Sequence, residues 1–178
     1  MSRALIYDTE TTDLVANSLL TERHQPHLIE FYGCVIDEKG ELLEELDFLC
    51  RPPNKIEPKT TEITGIKWSD IHDLPPFSAH ADKVAKLIEE CDTVVAHNLS
   101  YDRFVIDVEM QRLGRSICWP GSLVCTVEAT TWVKGFRLNL SALYTELFGE
   151  EFKGAHRAKN DVRALTRCFV ELRQRGWV

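Results

Sequence analysis

Apolar and polar positions fall into short blocks along this chain, and the block lengths predict the elements. Residues 3–8 (RALIYD) are β-prone and stop at the polar cluster DTETTD. A second apolar run, HLIEFYGCVID (27–37), is followed by the turn signal EKG and then by ELLEELDFLC (41–50), the pattern of a β-hairpin. Prolines in RPPNKIEP end it, and TTEITGI and WSDIHDL read as short helical turns, with Gly65 permitting a tight bend. From Ser78 to Cys91, Ala81, Val84, Ala85, Leu87 and Ile88 recur at helical spacing, with Ser78 as the expected N-cap.

DTVVAHN (92–98) reads as a buried strand, and SYDRFVIDVEMQRLG (100–114) as a helix capped by Ser100 and stopped at Gly114. A strand near SLVCT, helices near TVEATTW and LSALYTELFG, and a last helix over roughly 159–175 complete the chain. A hairpin followed by strands alternating with helices predicts an α/β fold with a mixed sheet. With no internal repeat, low-complexity stretch or linker, one domain over residues 1–178 is expected.

Composition narrows the class. The 178 residues are 44% hydrophobic, enough for a core without staples. The six cysteines are scattered, with no C-x-x-C pair and no His at zinc-finger spacing, and are expected to be reduced, buried thiols. The N-terminal MSRALIYDTE carries acids where a signal peptide would be apolar, and no apolar run is long enough to span a bilayer. A soluble, cytoplasmic protein with no membrane association is expected. The net charge of −7 argues against coating long duplex DNA by charge alone. It leaves nucleic acid open, because carboxylates gathered round cations present a positive face once the metal is loaded.

Three segments carry candidate chemistry. Asp8 and Glu10 stand at i and i+2, so on a strand both carboxylates point to one face. In HNLSYD (97–102), a buried strand gives way to a helix whose first turn holds Asp102, where an acid also suits the helix dipole. His156 precedes Asp161 by five residues, a spacing that does not share a helical face. His156 is therefore expected on the loop and Asp161 in the first turn of the last helix. Taken singly, each segment reads better as something plainer: a solvated strand end, a dipole-matched acid, or a surface His with a capping Asp.

Taken in order, DTETTDL (8–14), HNLSYDRFVIDVEMQRLG (97–114) and HRAKNDVRAL (156–165) resemble the three motifs of the DEDDh, or DnaQ-like, 3′→5′ exonucleases. LIEFYGCVID and TEITGI are also similar to family features, and the resemblance runs from about Ala4 to Phe169. It implies a ribonuclease H-like, three-layer α/β fold with a central mixed sheet flanked by helices. It also implies two divalent cations, Mg²⁺ or Mn²⁺, about 4 Å apart, which suit hard oxygen ligands. In that scheme Asp8 bridges both ions, Glu10 and Asp161 serve the ion on the nucleophile side, and Asp102 supports the other. His156 is the implied general base for the attacking water, and the product is a nucleoside 5′-monophosphate.

The resemblance also places the terminal nucleotide against Thr11, which would donate to the 3′-hydroxyl, and against Asn98 and Tyr101. The Tyr101 ring would press on a sugar or base or else anchor its helix, and Leu14 would wedge against the last base or start the core. Two positions depart from the family pattern. Asp13 replaces the usual glycine, denying an easy positive-φ position, and Thr64 stands where relatives often carry His. Lys153, Arg157, Lys159 and Arg163 cluster around His156, either to guide a strand or merely to solvate the helix.

The expected partner is the 3′ end of single-stranded DNA, with RNA open because sister groups of the family trim it and no 2′-hydroxyl contact is legible. A polymerase- or repair-associated subunit is the reading from another class, disfavoured by the absence of a tether-like extension beyond Val178. A paired-carboxylate glycosidase leaves His156 and the convergence of four acids unexplained.

Overall fold

The computed structural model describes residues 2–15, 21–154 and 157–178. Its centre is a five-stranded sheet of β1 (Ala4–Thr11), β2 (Leu28–Ile36), β3 (Leu42–Leu49), β4 (Thr93–Ala96) and β5 (Ser122–Cys125), in the order β3-β2-β1-β4-β5. β2 runs antiparallel to both of its neighbours, β1 and β3, while β4 and β5 lie parallel to β1 on its other side. The sheet is mixed, as the block pattern predicts. The helices are α1 (Pro58–Thr64), α2 (Trp68–Ile71), α3 (Ala81–Glu89), α4 (Leu99–Arg112), α5 (Thr126–Lys134), α6 (Leu140–Phe148) and α7 (Ala158–Gln174).

Alternation along β1 builds the layers. Leu5 and Tyr7 point to one face, where they join Phe31, Val35, Val94 and Ala96 against Val84 and Ile88 of α3 and Val105, Ile106 and Met110 of α4. Ala4 and Ile6 point to the other, where Tyr32, Cys34, Ile36 and Val95 meet Ala158, Val162, Leu165 and Phe169 of α7. A second stripe on α7, Ala164, Cys168 and Leu172, packs against Leu143, Tyr144 and Leu147 of α6. The arrangement is the three-layer, ribonuclease H-like fold.

Several local expectations change. β1 continues through Thr11 instead of stopping at Asp8, because β2 pairs with it along that whole length. Ser78 is not a cap: it lies inside a 3-10 turn (Phe77–Ala79), and α3 starts after His80, whose ring stacks on Phe48 at 4.0 Å. Ser100 is not a cap either, since Asn98 takes the left-handed conformation (φ 75°, ψ 49°) and α4 begins at Leu99. All six cysteines are free, but Cys118 is exposed, while its neighbours Ile117 and Trp119 pack against the core. Among the described residues, no helix is long and apolar enough to cross a membrane.

Candidate active site

The alternation that builds the layers also sorts the polar residues at the end of β1. Asp8 and Glu10 share the face of Ala4 and Ile6, the side covered by α7, whereas Thr9 shares the face of Leu5 and Tyr7, the side covered by α4. Asp161 sits in the first turn of α7. Carboxylate oxygens of Asp8, Glu10 and Asp161 consequently all lie within 4.8 Å of one another, and all three side chains are partly exposed.

Asp102 reaches the same cavity from the other layer. Pairing between β1 and β4 ends at Ile6 and Val95, so the Thr9 backbone N–H on that side has no strand partner. Asp102, in the first turn of α4 and buried, supplies one: its Oδ1 accepts from Thr9 N at 3.1 Å and from Thr9 Oγ1 at 2.7 Å. The cavity holds about 310 Å³ and is lined by all four acids, with Thr11, Leu14, Lys59, Ile63, His97, Asn98 and Tyr101 among the rest. His156 lies outside the described residues.

The electrostatics are those of crowded carboxylates. Burial, then repulsion from Asp102, Glu10 and Asp161, pushes the Asp8 carboxyl well above the usual range. Burial, then Glu30 and Asp161, raises Glu10 to about 8. Burial also raises Asp102, although the two Thr9 hydrogen bonds pull the other way. His97 is lowered to about 4 chiefly by burial, so it faces the cavity as a neutral imidazole. A divalent cation would relieve this repulsion, and a set of partly exposed, purely oxygen donors fits a hard one. The arrangement can hold such a cation and present a phosphodiester to it.

The pocket wall shows how the two departures from the family pattern are accommodated. Asn98 is the one non-glycine residue with positive φ among the described residues, so Asp13 needs no left-handed backbone. Its Oδ1 instead accepts from Leu14 N at 2.7 Å. Thr64 is buried and closes α1, donating to Thr60 O at 2.9 Å and accepting from Ile66 N at 3.1 Å. The Thr11 hydroxyl donates to Asp13 O at 2.7 Å and lies 2.7 Å from Tyr101 Oη, tying the end of β1 to α4.

Three contributors escaped the sequence reading. Thr9 reads there as a spacer between two acids, although its opposite facing was derivable from the same alternation. Glu30 is the lone acid in an apolar strand, which was its signal. It is buried beside Glu10 in the β1–β2 register and accepts from Arg157 Nη2 at 2.8 Å and Ala158 N at 3.1 Å, so it fixes the start of α7. Lys59 is the cation in the cavity lining. The basic cluster does not form a track to the pocket: Arg157 is held by Glu30, and Lys159 by Asp47 at 2.9 Å. Lys153 and Arg163 line a separate cavity with Tyr144 and Phe152.

The profile of the exonuclease family of ribonuclease T type matches residues 5–169. The chain belongs to this exonuclease family. As a member it is a nuclease, a phosphodiester hydrolase, and its acidic cluster suits divalent metal. The 3′-5′ exonuclease DinG of Bacillus subtilis is 26% identical over 176 residues, covering 96% of this exonuclease and 17% of DinG. The PolC-type DNA polymerase III of Mycoplasmopsis pulmonis is 30% identical over 98 residues, covering 55% of this chain and 6% of the polymerase. The chain thus spans less than a fifth of the length of either relative.

Solved structures share the fold. Escherichia coli exonuclease I, in a zinc-bound complex with single-stranded DNA, superposes with a TM-score of 0.80 at 20% identity, over 98% of this chain and 41% of that one. The nuclease domain of 3′hExo, a DEDDh family member bound to rAMP, gives 0.77 at 14% identity, over 98% and 93%. Exonuclease X bound to 5′-overhanging duplex DNA gives 0.67 at 22% identity, over 98% and 94%.

Proposed function

We propose that residues 1–178 form one exonuclease domain that removes nucleotides from the 3′ end of single-stranded DNA as nucleoside 5′-monophosphates. The observation that carries this reading is the meeting of Asp8, Glu10 and Asp161 within 4.8 Å, from two separate elements, at the mouth of a cavity that Asp102 also lines. Two divalent cations, Mg²⁺ or Mn²⁺, held by these four carboxylates would neutralise the phosphate and lower the pKa of the attacking water. Asp8 and Glu10, on a strand fixed by pairing on β2, would give the ligand set its rigid side. Asp161 would complete it from α7, and Thr9 would hold Asp102 in orientation from behind. His156 would accept the proton of the attacking water.

The cavity, about 310 Å³, suits a single nucleotide better than a duplex end. Leu14 and Ile63, both exposed on its wall, would meet the base, while Thr11, Asn98 and Tyr101 would contact the sugar and Lys59 a phosphate. Exonuclease I bound to single-stranded DNA favours the DNA reading, and 3′hExo bound to rAMP favours an exoribonuclease as the second. The PolC-type relative motivates a polymerase or repair partner. Free thiols fit a cytoplasmic location.

The test uses 5′-labelled DNA and RNA oligonucleotides of one sequence, incubated with Mg²⁺, Mn²⁺ or EDTA. A 3′-shortening ladder on DNA that outpaces the one on RNA and vanishes in EDTA is expected. A faster RNA ladder moves the assignment to an exoribonuclease. Binding without shortening under every metal condition overturns the enzyme reading in favour of a partner subunit.

A further inference from the structure

Both ends of α5 are tied to the turn that closes one side of the acidic cavity. At its start Thr126 Oγ1 lies 2.9 Å from His97 Nδ1, and just past its end Arg137 Nη2 donates to Asn98 Oδ1 at 3.3 Å. His97 and Asn98 both line the cavity. Between the two ties the chain displays Trp132, Val133 and Phe136, which are 91%, 44% and 58% exposed. The other three tryptophans are partly buried, so Trp132 stands apart in leaving its whole ring in water. Leaving that much aromatic surface solvated forgoes a large burial gain, and such a patch marks a place where something binds.

What binds follows from the position of the patch. It is continuous with the cavity through the Arg137–Asn98 contact, and it brings a guanidinium to the edge of a pocket otherwise dominated by carboxylates. Leu14 and Ile63, 74% and 51% exposed, stand among the other lining residues, so the cavity itself also offers apolar surface to a base. Aromatic rings beside a cationic group are the combination that holds an unpaired strand without regard to sequence.

We propose that Trp132 and Phe136 form a stacking platform for the bases upstream of the 3′-terminal nucleotide, with Arg137 contacting the phosphate between platform and cavity. The proposal rests on the reading of the cavity as a 3′-end site. Trp132 lies six residues along α5 from Thr126, roughly 9 Å at the rise of an α-helix, which is about two to three stacked bases. A dinucleotide bound in the cavity therefore falls short of the platform, whereas a strand of about four nucleotides or more reaches it. The platform makes this exonuclease prefer longer single strands through KM.

The experiment compares wild type with Trp132→Ala/Phe136→Ala, exposed positions whose replacement is checked by melting temperature. KM is measured for a dinucleotide and for a twelve-nucleotide DNA strand with Mg²⁺. The wild type is expected to favour the longer strand, and the double variant to lose that preference by about tenfold. In a second arm, Ca²⁺ replaces Mg²⁺ and tryptophan fluorescence is followed as each oligonucleotide is added. Quenching by the twelve-nucleotide strand but not the dinucleotide, lost in Trp132→Phe, supports the platform even if turnover is absent. Unchanged length preference in the double variant, or quenching that survives Trp132→Phe, overturns it and leaves the aromatic face to a protein partner. Failure of wild type to degrade any strand overturns the exonuclease reading instead, so the two failures are distinguishable.

Discussion

Glu30 and Arg157, 127 residues apart, form a forked ion pair in which Arg157 Nη2 lies 2.8 Å from Glu30 Oε1 and Nε 3.3 Å from Oε2. The pair is asymmetric: Glu30 is 2% exposed, the Arg157 side chain 46%. Removing Arg157 strands a buried carboxylate next to Glu10, whereas neutralising Glu30 leaves a guanidinium that water can reach and removes a repulsion. Arg157→Ala should therefore cost about 3 kcal/mol and Glu30→Gln about 1 kcal/mol. Urea unfolding of the two variants measures this. Equal losses would contradict the asymmetry.

Thr9 holds Asp102 through both its amide and its hydroxyl. Thr9→Val keeps the shape and the amide but deletes the hydroxyl donor to a charged acceptor, a loss of about 2 kcal/mol. If Asp102 works in the orientation that Thr9 fixes, the variant should lower kcat more than it raises KM, by roughly tenfold or more. A variant that melts earlier yet turns over normally would make the contact structural only.

The carboxylate cluster predicts how stability depends on pH. Glu10 is raised from 4.5 to about 8, so between those values the folded chain holds a proton that the unfolded chain has released. Metal-free stability should thus fall as pH rises through that window, with Asp8 and Asp102, also raised, acting in the same direction. Thermal melts in EDTA across the window should show the decline, and Glu10→Gln should flatten it. Mg²⁺ should restore more stability at about pH 8 than at about pH 6, because it binds the ionised acids.

His156 is the proposed base. His156→Ala should cut turnover by roughly two to four orders of magnitude while leaving Mn²⁺ affinity, read by calorimetry, nearly unchanged. Parallel loss of metal affinity would make it a ligand or a support.

Most of this arrangement was legible in the sequence, and the residues that were not share a physical reason. Asp8 and Glu10 could be placed on one strand face, and Asp102 and Asp161 in first helical turns, because those placements depend on local periodicity. The roles of Thr9 and Glu30 depend on partners 93 and 127 residues away, which periodicity does not report. The caps expected at Ser78 and Ser100 failed for a local reason that composition hides. Ser78 was taken into a 3-10 turn, and Asn98 turned the chain one residue before α4 begins. Basic residues near His156 left a strand guide and a solvated helix equally open in sequence, and Arg157 and Lys159 are spent on acids of β2 and β3.

The central claim is that the four carboxylates direct hydrolysis at the last phosphodiester of a strand. It is tested most directly with a DNA oligonucleotide carrying a radiolabelled phosphate only in its 3′-terminal linkage, with the products separated by chromatography. With Mg²⁺, all label should appear as a nucleoside 5′-monophosphate, and Asp8→Asn should release at least about a thousandfold less. Label released as longer fragments or as a 3′-monophosphate, or undiminished release by Asp8→Asn, would contradict the account.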